Sequence, residues 1–513
     1  MKKTILALAT IWVFAACKRD SVNVMENAVV GDVLTSRVES VVLSESPLSK
    51  EDVDNTLKGI LMREHDFHWE WTTPDVIWSA GHYGDQSMAI GYTINGLESI
   101  DEISHTIDLK SSKWKATHDA IIQLIKDTYF ESTGKALDWN EVLVEDDEVL
   151  PIITINMVNR EVIQALMNLE NVRYIEPIDY ILEVEEQRSS SGCDPSSYSV
   201  SGADYTWSTP NCMIPWNFNN MNIPNAWSQT QGQGITVGVI DAGISSSQSL
   251  LNGSFNNGDS NVGRSRTVGY TLGGTAYTSC SHGTSMSGLA VGPRNNTGAT
   301  TGVAYKSNLF FVRACNDVVL DSGSERTAVK NALVGLGNTS DVKVISMSIG
   351  TPFGSSVLKD GVNYATNMGK LVFAAAGTSF SWTAWWGVIY PAAYSNCVAI
   401  TGVNENSQTC DDCHDGGEVD FTVVMERNSN DSRNSLSLPQ SGTWPTYIGG
   451  SSCATATAAG IGALVWSIDP TMTRAEVLNI LTITSQYYPG QSSSRGYGNL
   501  NAGAAVAAAQ NAM

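Results

Sequence analysis

The chain is 513 residues long, with 42% hydrophobic and 16% charged residues and a formal net charge of −22. That length exceeds one small core and predicts two folded units behind a leader. The acidic balance argues against nucleic acid or an anionic membrane surface as an electrostatic partner.

In chain order, Lys2 and Lys3 precede an apolar run from Thr4 to Ala16. The run is too short to span a bilayer and reads as a signal peptide over residues 1–16. It ends Phe14-Ala15-Ala16-Cys17, which resembles the cleavage box of bacterial lipoproteins and implies lipid on Cys17; an ordinary signal beside a stray cysteine is the alternative. Nine cysteines leave one over in an exported chain, and assigning Cys17 to lipid leaves Cys193, Cys212, Cys280, Cys315, Cys397, Cys410, Cys413 and Cys453, an even set that fits disulfides. Residues 17–190 form the expected first unit. The Ser- and Gly-rich "RSSSGCDPSSYSVSG" marks a linker, with a boundary near 187–192.

From 191 to 513, strand and helix patterns alternate. "GITVGVI" (234–240), "NLFFVRA" (308–314), "DVKVISMS" (341–348) and "KLVFAAA" (370–376) are near-continuous apolar runs, the signature of strands buried on both faces. Helices are expected over about 322–337 and 354–369, and Thr473-Arg474-Ala475-Glu476 is a capping box before "VLNILTI". The alternation predicts an α/β unit with a doubly wound, mostly parallel sheet and helices on both faces. Its site is expected beyond the carboxyl ends of strands.

Three stretches carry candidate chemistry. Asp241 follows a buried strand, where a carboxylate can accept from an imidazole N–H and fix its tautomer; a turn Asp is the bland alternative. His282 and His414 are the two of the seven histidines that follow the linker. His282 precedes small residues suited to a close-packed helix. In "IGGSSCATATAAGIGALV", a helix starting at Ser452 puts free N–H groups and the positive dipole end beside a hydroxyl.

Together these stretches resemble the subtilisin-like serine proteases, or subtilases. The family's strand-then-D-[ST]-G, H-G-T and G-[TS]-S-x-A-x-P read here as Asp241-Ala242-Gly243, His282-Gly283-Thr284 and Gly450-Ser451-Ser452-Cys453-Ala454-Thr455-Ala456. The resemblance spans about 215–510. It implies a serine endopeptidase with Asp241, His282 and Ser452 as the triad. "NREVIQALMNLENVRYIEPIDYIL" resembles the end of a subtilisin propeptide, which implies a smaller α+β inhibitory unit before the catalytic one.

By the same resemblance, Thr378 holds the slot of the family's oxyanion-donating Asn. Ser348, Ile349 and Gly350 match the strand edge that takes a peptide. Ile389 replaces a glycine at the base of the P1 pocket and implies small P1 side chains. Ala242 replaces a supporting hydroxyl, and Ala456 replaces a proline expected in a helix's first turn. Trp382, Trp385 and Trp386 either rim the cleft or lie beneath a loop. No cofactor is implied for catalysis. Calcium is common in the family, but no ligands for it are placed. For Cys410-x-x-Cys413-His414, a disulfide with Cys397 or a neighbour is expected over a metal, and Cys453 is a candidate free thiol. The implied partners are protein or peptide substrates and the chain's own propeptide, with the membrane reached only through the Cys17 lipid. The implied location is the bacterial cell envelope for the lipidated precursor, with the catalytic unit released outside. Two rivals stand beside this reading: a surface binding protein on the same scaffold, weakened by Thr378, and a hydrolase of small esters.

Overall fold

The structure is a computed structural model describing residues 33–35, 46–64, 66–182, 192–193, 198–378 and 387–512. Cys17, most of the expected linker, and Trp382, Trp385 and Trp386 lie outside the described residues.

The first unit is built on a four-stranded antiparallel sheet, ordered β2-β3-β1-β4, from β1 (Ser87–Tyr92), β2 (Leu143–Asp146), β3 (Ile152–Asn156) and β4 (Val172–Pro177). The helices Ser112–Thr133 and Arg160–Met167 bring Ile121, Ile125, Val162 and Ile163 into one core with Ile90, Ile153 and Ile175. Two earlier helices, Lys50–Glu64 and Pro74–Tyr83, join the same core through Leu57, Ile60 and Ile77.

Past a short antiparallel pair, β5 (Tyr205–Ser208) and β6 (Cys212–Pro215), the second unit is a nine-stranded sheet. Its strands are β7 (Thr236–Asp241), β8 (Arg266–Tyr270), β9 (Asn308–Arg313), β10 (Val342–Met347), β11 (Leu371–Ala375), β12 (Val398–Asn404), β13 (Phe421–Arg427), β14 (Asn430–Ser437) and β15 (Thr446–Ile448). The order is β15-β14-β13-β12-β11-β10-β7-β9-β8; neighbours from β13 through β8 pair parallel, and β14 and β15 pair antiparallel. Every residue of β7 and β11 is buried, as their unbroken apolar runs predict. Separate cores lie on the two faces: one with the helices His282–Val291 and Gly450–Trp466, the other with Gly323–Asn338 and Ser356–Asn367. This is the expected doubly wound arrangement. The Thr473 capping box is formed: its side chain accepts from the Glu476 N–H, and Glu476 reaches back to the Thr473 N–H at 2.7 Å.

Two local expectations are corrected. The helix bearing Ser452 starts at Gly450, so Ser452 is its third residue, still among the first N–H groups without an intrahelical partner. Ala456 is the seventh residue rather than part of the first turn, and its N–H has Ser452 four residues back as a helical partner. The cysteines differ in part: Cys193 pairs with Cys280, and Cys410 forms its disulfide with Cys413 rather than Cys397. Cys453 is a free thiol as expected, but Cys212, Cys315 and Cys397 are also free and buried, so the even set is not fully paired. Among the described residues, no helix is long and apolar enough to cross a membrane.

Candidate active site

β7 ends on Asp241, which is fully buried. The missing hydroxyl at Ala242 is offset locally, because the Ala242 N–H donates to Asp241 Oδ1 at 2.8 Å. The helix His282–Val291 begins on His282, whose Nδ1 lies 2.9 and 3.0 Å from the two Asp241 carboxylate oxygens. A carboxylate only accepts, so Nδ1 carries a proton, and in the neutral ring it is Nε2 that has the free lone pair. Gly283 makes this approach possible: a Cβ there would lie 2.3 Å from the Gly243 carbonyl.

Ser452 Oγ donates to the Ser348 carbonyl at 3.2 Å, and Ser348 Oγ donates back to the Ser452 carbonyl at 2.9 Å. The helix turns in at Gly450, whose φ is +72°; a Cβ there would lie 2.7 Å from Thr378 Oγ1. Thr378 Oγ1 is 3.3 Å from Ser451 Oγ, which accepts the Gly377 N–H at 3.1 Å. His282, Ser348, Ile349, Gly350, Thr378, Ile389 and Ser452 all line one cavity of about 650 Å³. Ile389 packs over Gly350 so closely that a Cβ on Gly350 would meet its Cδ1 at 2.6 Å.

The cavity holds features that the sequence did not announce. Gly350 is already paired: its N–H donates to the Val318 carbonyl at 2.9 Å, and its carbonyl accepts from Leu320 at 2.8 Å. Leu57, Phe67, Trp69 and Tyr180–Leu182 of the first unit form part of the wall. Gly192 lies against the imidazole, where a Cβ would sit 3.2 Å from His282 Cδ2. The Cys193 carbonyl accepts both the N–H (3.0 Å) and the hydroxyl (2.8 Å) of Ser281, next to the Cys193–Cys280 bond. A linker cysteine and a second cysteine two residues before His282 were the available signal. His414 is also in the wall; its N–H donates to the Gly377 carbonyl at 3.0 Å, and burial pushes its pKa down. With Cys410 and Cys413 bonded to each other, neither offers a thiolate to a metal. Subtilases commonly carry structural calcium, but among the described residues no group of three or more His, Cys, Asp or Glu side chains is arranged to hold a metal ion.

Comparison with known proteins places this geometry. The Subtilase family (Peptidase_S8) matches residues 232–499, about half of the chain. Subtilisin E of Bacillus subtilis (strain 168) is 34% identical over 294 residues, covering 57% of this chain and 71% of its own. Subtilisin of Bacillus pumilus is 34% identical over 294 residues, covering 57% and 98%. Thermitase of Thermoactinomyces vulgaris is 31% identical over 252 residues, covering 48% and 79%. The chain belongs to the subtilase family and is a serine endopeptidase.

Proposed function

We propose that the chain is an exported zymogen whose catalytic residues are Asp241, His282 and Ser452. Ser452 Oγ turns from the Ser348 carbonyl to His282 Nε2, gives up its proton and attacks the peptide carbonyl. The imidazolium is stabilised by Asp241 and returns the proton to the leaving amine. Water then enters by the same route and hydrolyses the acyl-enzyme. The oxyanion is met by the Ser452 N–H at the helix's positive end and by the Thr378 hydroxyl. The observation that carries this reading is the Asp241–His282 pair opening onto the cavity that Ser452 lines. A fluorophosphonate probe tests it. Labelling of wild type that vanishes in Ser452→Ala is expected; labelling that persists in Ser452→Ala would refute it.

In this reading the first unit is the inhibitory propeptide, with the catalytic unit from about residue 191. What supports it is how two carboxylates of the first unit meet helix N-termini of the second. Glu176 accepts from Ser355 Oγ at 2.9 Å and from the Ser356 N–H, and Asp179 accepts the Ser324 N–H at 3.0 Å. The segment after the first helix adds Asp66, which accepts from the Tyr390 hydroxyl and pairs with His68 at 3.2 Å. The lipid on Cys17 would tether the uncut precursor to the envelope.

The hold of this unit should depend on pH. Burial raises the Glu176 pKa to about 7, from 4.5. The hydrogen bond to Asp66 raises that of His68 above 6.5. Burial alone would raise Asp66, but hydrogen bonds from His68, Tyr390 and the Phe67 N–H outweigh it and hold Asp66 below 3.8. Glu176, buried against Ser355 and Ser356 of the second unit, binds its proton more tightly when docked, so its contribution is complete below its free value and is lost as pH rises through the docked one. His68 is raised by groups of its own unit and adds no link to docking, while the Tyr390 bond to Asp66 is lost only in strong acid. The lag before activity appears is therefore expected to be shorter at about pH 8.5 than at about pH 5.5. A lag that lengthens with pH would contradict this assignment.

A further inference from the structure

We propose that Ser451 is a positioning residue for the oxyanion site: its hydroxyl donates to Thr378 Oγ1, so that the Thr378 proton is turned into the cleft. The proposal rests on reading Thr378 as the side-chain oxyanion donor, and it assigns a task to the serine beside the nucleophile.

Ser451 is 1% exposed. Among the described residues its Oγ makes two hydrogen bonds: it accepts the Gly377 N–H at 3.1 Å, and it lies 3.3 Å from Thr378 Oγ1. A hydroxyl carries one proton and accepts at its lone pairs. With the Gly377 N–H taken by a lone pair, the buried Ser451 proton needs an acceptor, and Thr378 Oγ1 is the partner in reach. The opposite direction, Thr378 to Ser451, would leave the buried Ser451 proton unsatisfied. It would also spend the Thr378 proton on the wall. The favoured chain therefore runs from the Gly377 N–H through Ser451 and Thr378 to the cavity, each bond polarising the next.

The surroundings hold Thr378 in this alignment. Its backbone bridges to Cys413, which is bonded to Cys410. Its Oγ1 sits over Gly450, in space that a Cβ would take. An amide donor presents its N–H groups in a fixed plane, whereas a threonine hydroxyl rotates. The rotating donor has to be aimed, and a neighbour donating into its oxygen does so.

A double-mutant cycle tests the assignment on a peptide p-nitroanilide. Each full-length variant is matured by a trace of wild type, with Ser452→Ala carried through as background, and active sites are counted with a fluorophosphonate. Thr378→Val is expected to lower kcat by about 10²-fold with KM unchanged. Ser451→Ala should lower kcat by about tenfold with KM unchanged, and Ser451→Thr should restore it to within about threefold. The double variant should match Thr378→Val alone, because Ser451 acts through Thr378. Two results overturn the proposal: a Ser451→Ala loss that multiplies in full on the Thr378→Val background, or a folded Ser451→Ala protein with unchanged kcat. Melting curves identify variants that fail to fold, and Ser451→Thr then supplies the test, with a large kcat loss counting against the relay. A wild type that does not titrate sinks the triad reading and the relay with it. A titrating wild type with an additive cycle sinks the relay alone.

Discussion

Asp241→Asn is expected to lower kcat by about four orders of magnitude, with KM little changed. Asp241 meets His282 Nδ1 with both oxygens and accepts the Ala242 N–H. Asparagine keeps an oxygen for Ala242 but turns an N–H₂ toward Nδ1. The ring then accepts at Nδ1 and carries its proton on Nε2, the wrong tautomer to take a proton from Ser452. The side chains are nearly isosteric, so the melting temperature should hardly move while kcat collapses. Steady-state kinetics on matured protein decides it; a loss under tenfold would mean that His282 is oriented by something other than Asp241.

The second large effect lies between the two units. Arg173 on β4 grips Asp360 of the helix Ser356–Asn367 with two bonds, 2.9 and 2.6 Å long, and Tyr174 adds a third at 2.9 Å. The Asp360 side chain is 2% exposed and that of Arg173 15%. Arg173→Ala strands a buried carboxylate with one neutral donor, which typically costs about 3–5 kcal/mol. The hold of the first unit should weaken by about 10²–10³-fold, read as a shorter lag before activity on dilution. The double variant Arg173→Ala/Asp360→Ala should recover much of the lag, because the penalty comes from the unpaired charge. An Arg173→Ala lag equal to that of wild type would show that the pair does not hold the units together.

Reading the sequence located what local chemistry dictates. β7, β9, β10 and β11 fall within a residue or two of their β-branched runs. The capping box at Thr473 needs only neighbours three residues apart, and it formed. The start of the helix at Gly450 was misread by two residues, because it depends on Gly450 passing beneath Thr378, more than 70 residues away in sequence. Pairing of Gly350 with Val318 and Leu320 and of Cys193 with Cys280, 87 residues apart, is likewise tertiary. No periodicity encodes it. The wall contributed by Phe67 and Trp69 was invisible for the same reason: both are buried in the core of the first unit while also lining the cavity.

If the precursor is cut near residues 187–192 as proposed, the bond between Cys193 and Cys280 makes the place of that cut consequential. A cut before Cys193 yields two chains with no covalent link through this bond. The shorter one leaves as soon as its docking contacts fail, and the new terminus stays riveted beside His282. A cut only a few residues later, beyond Cys193, reverses the outcome. The first unit would then remain disulfide-linked to the enzyme it covers, together with any lipid it carries, and only a reductant could part them. A shift of the scissile bond across one cysteine thus converts a diffusible protease into one that stays on its leash.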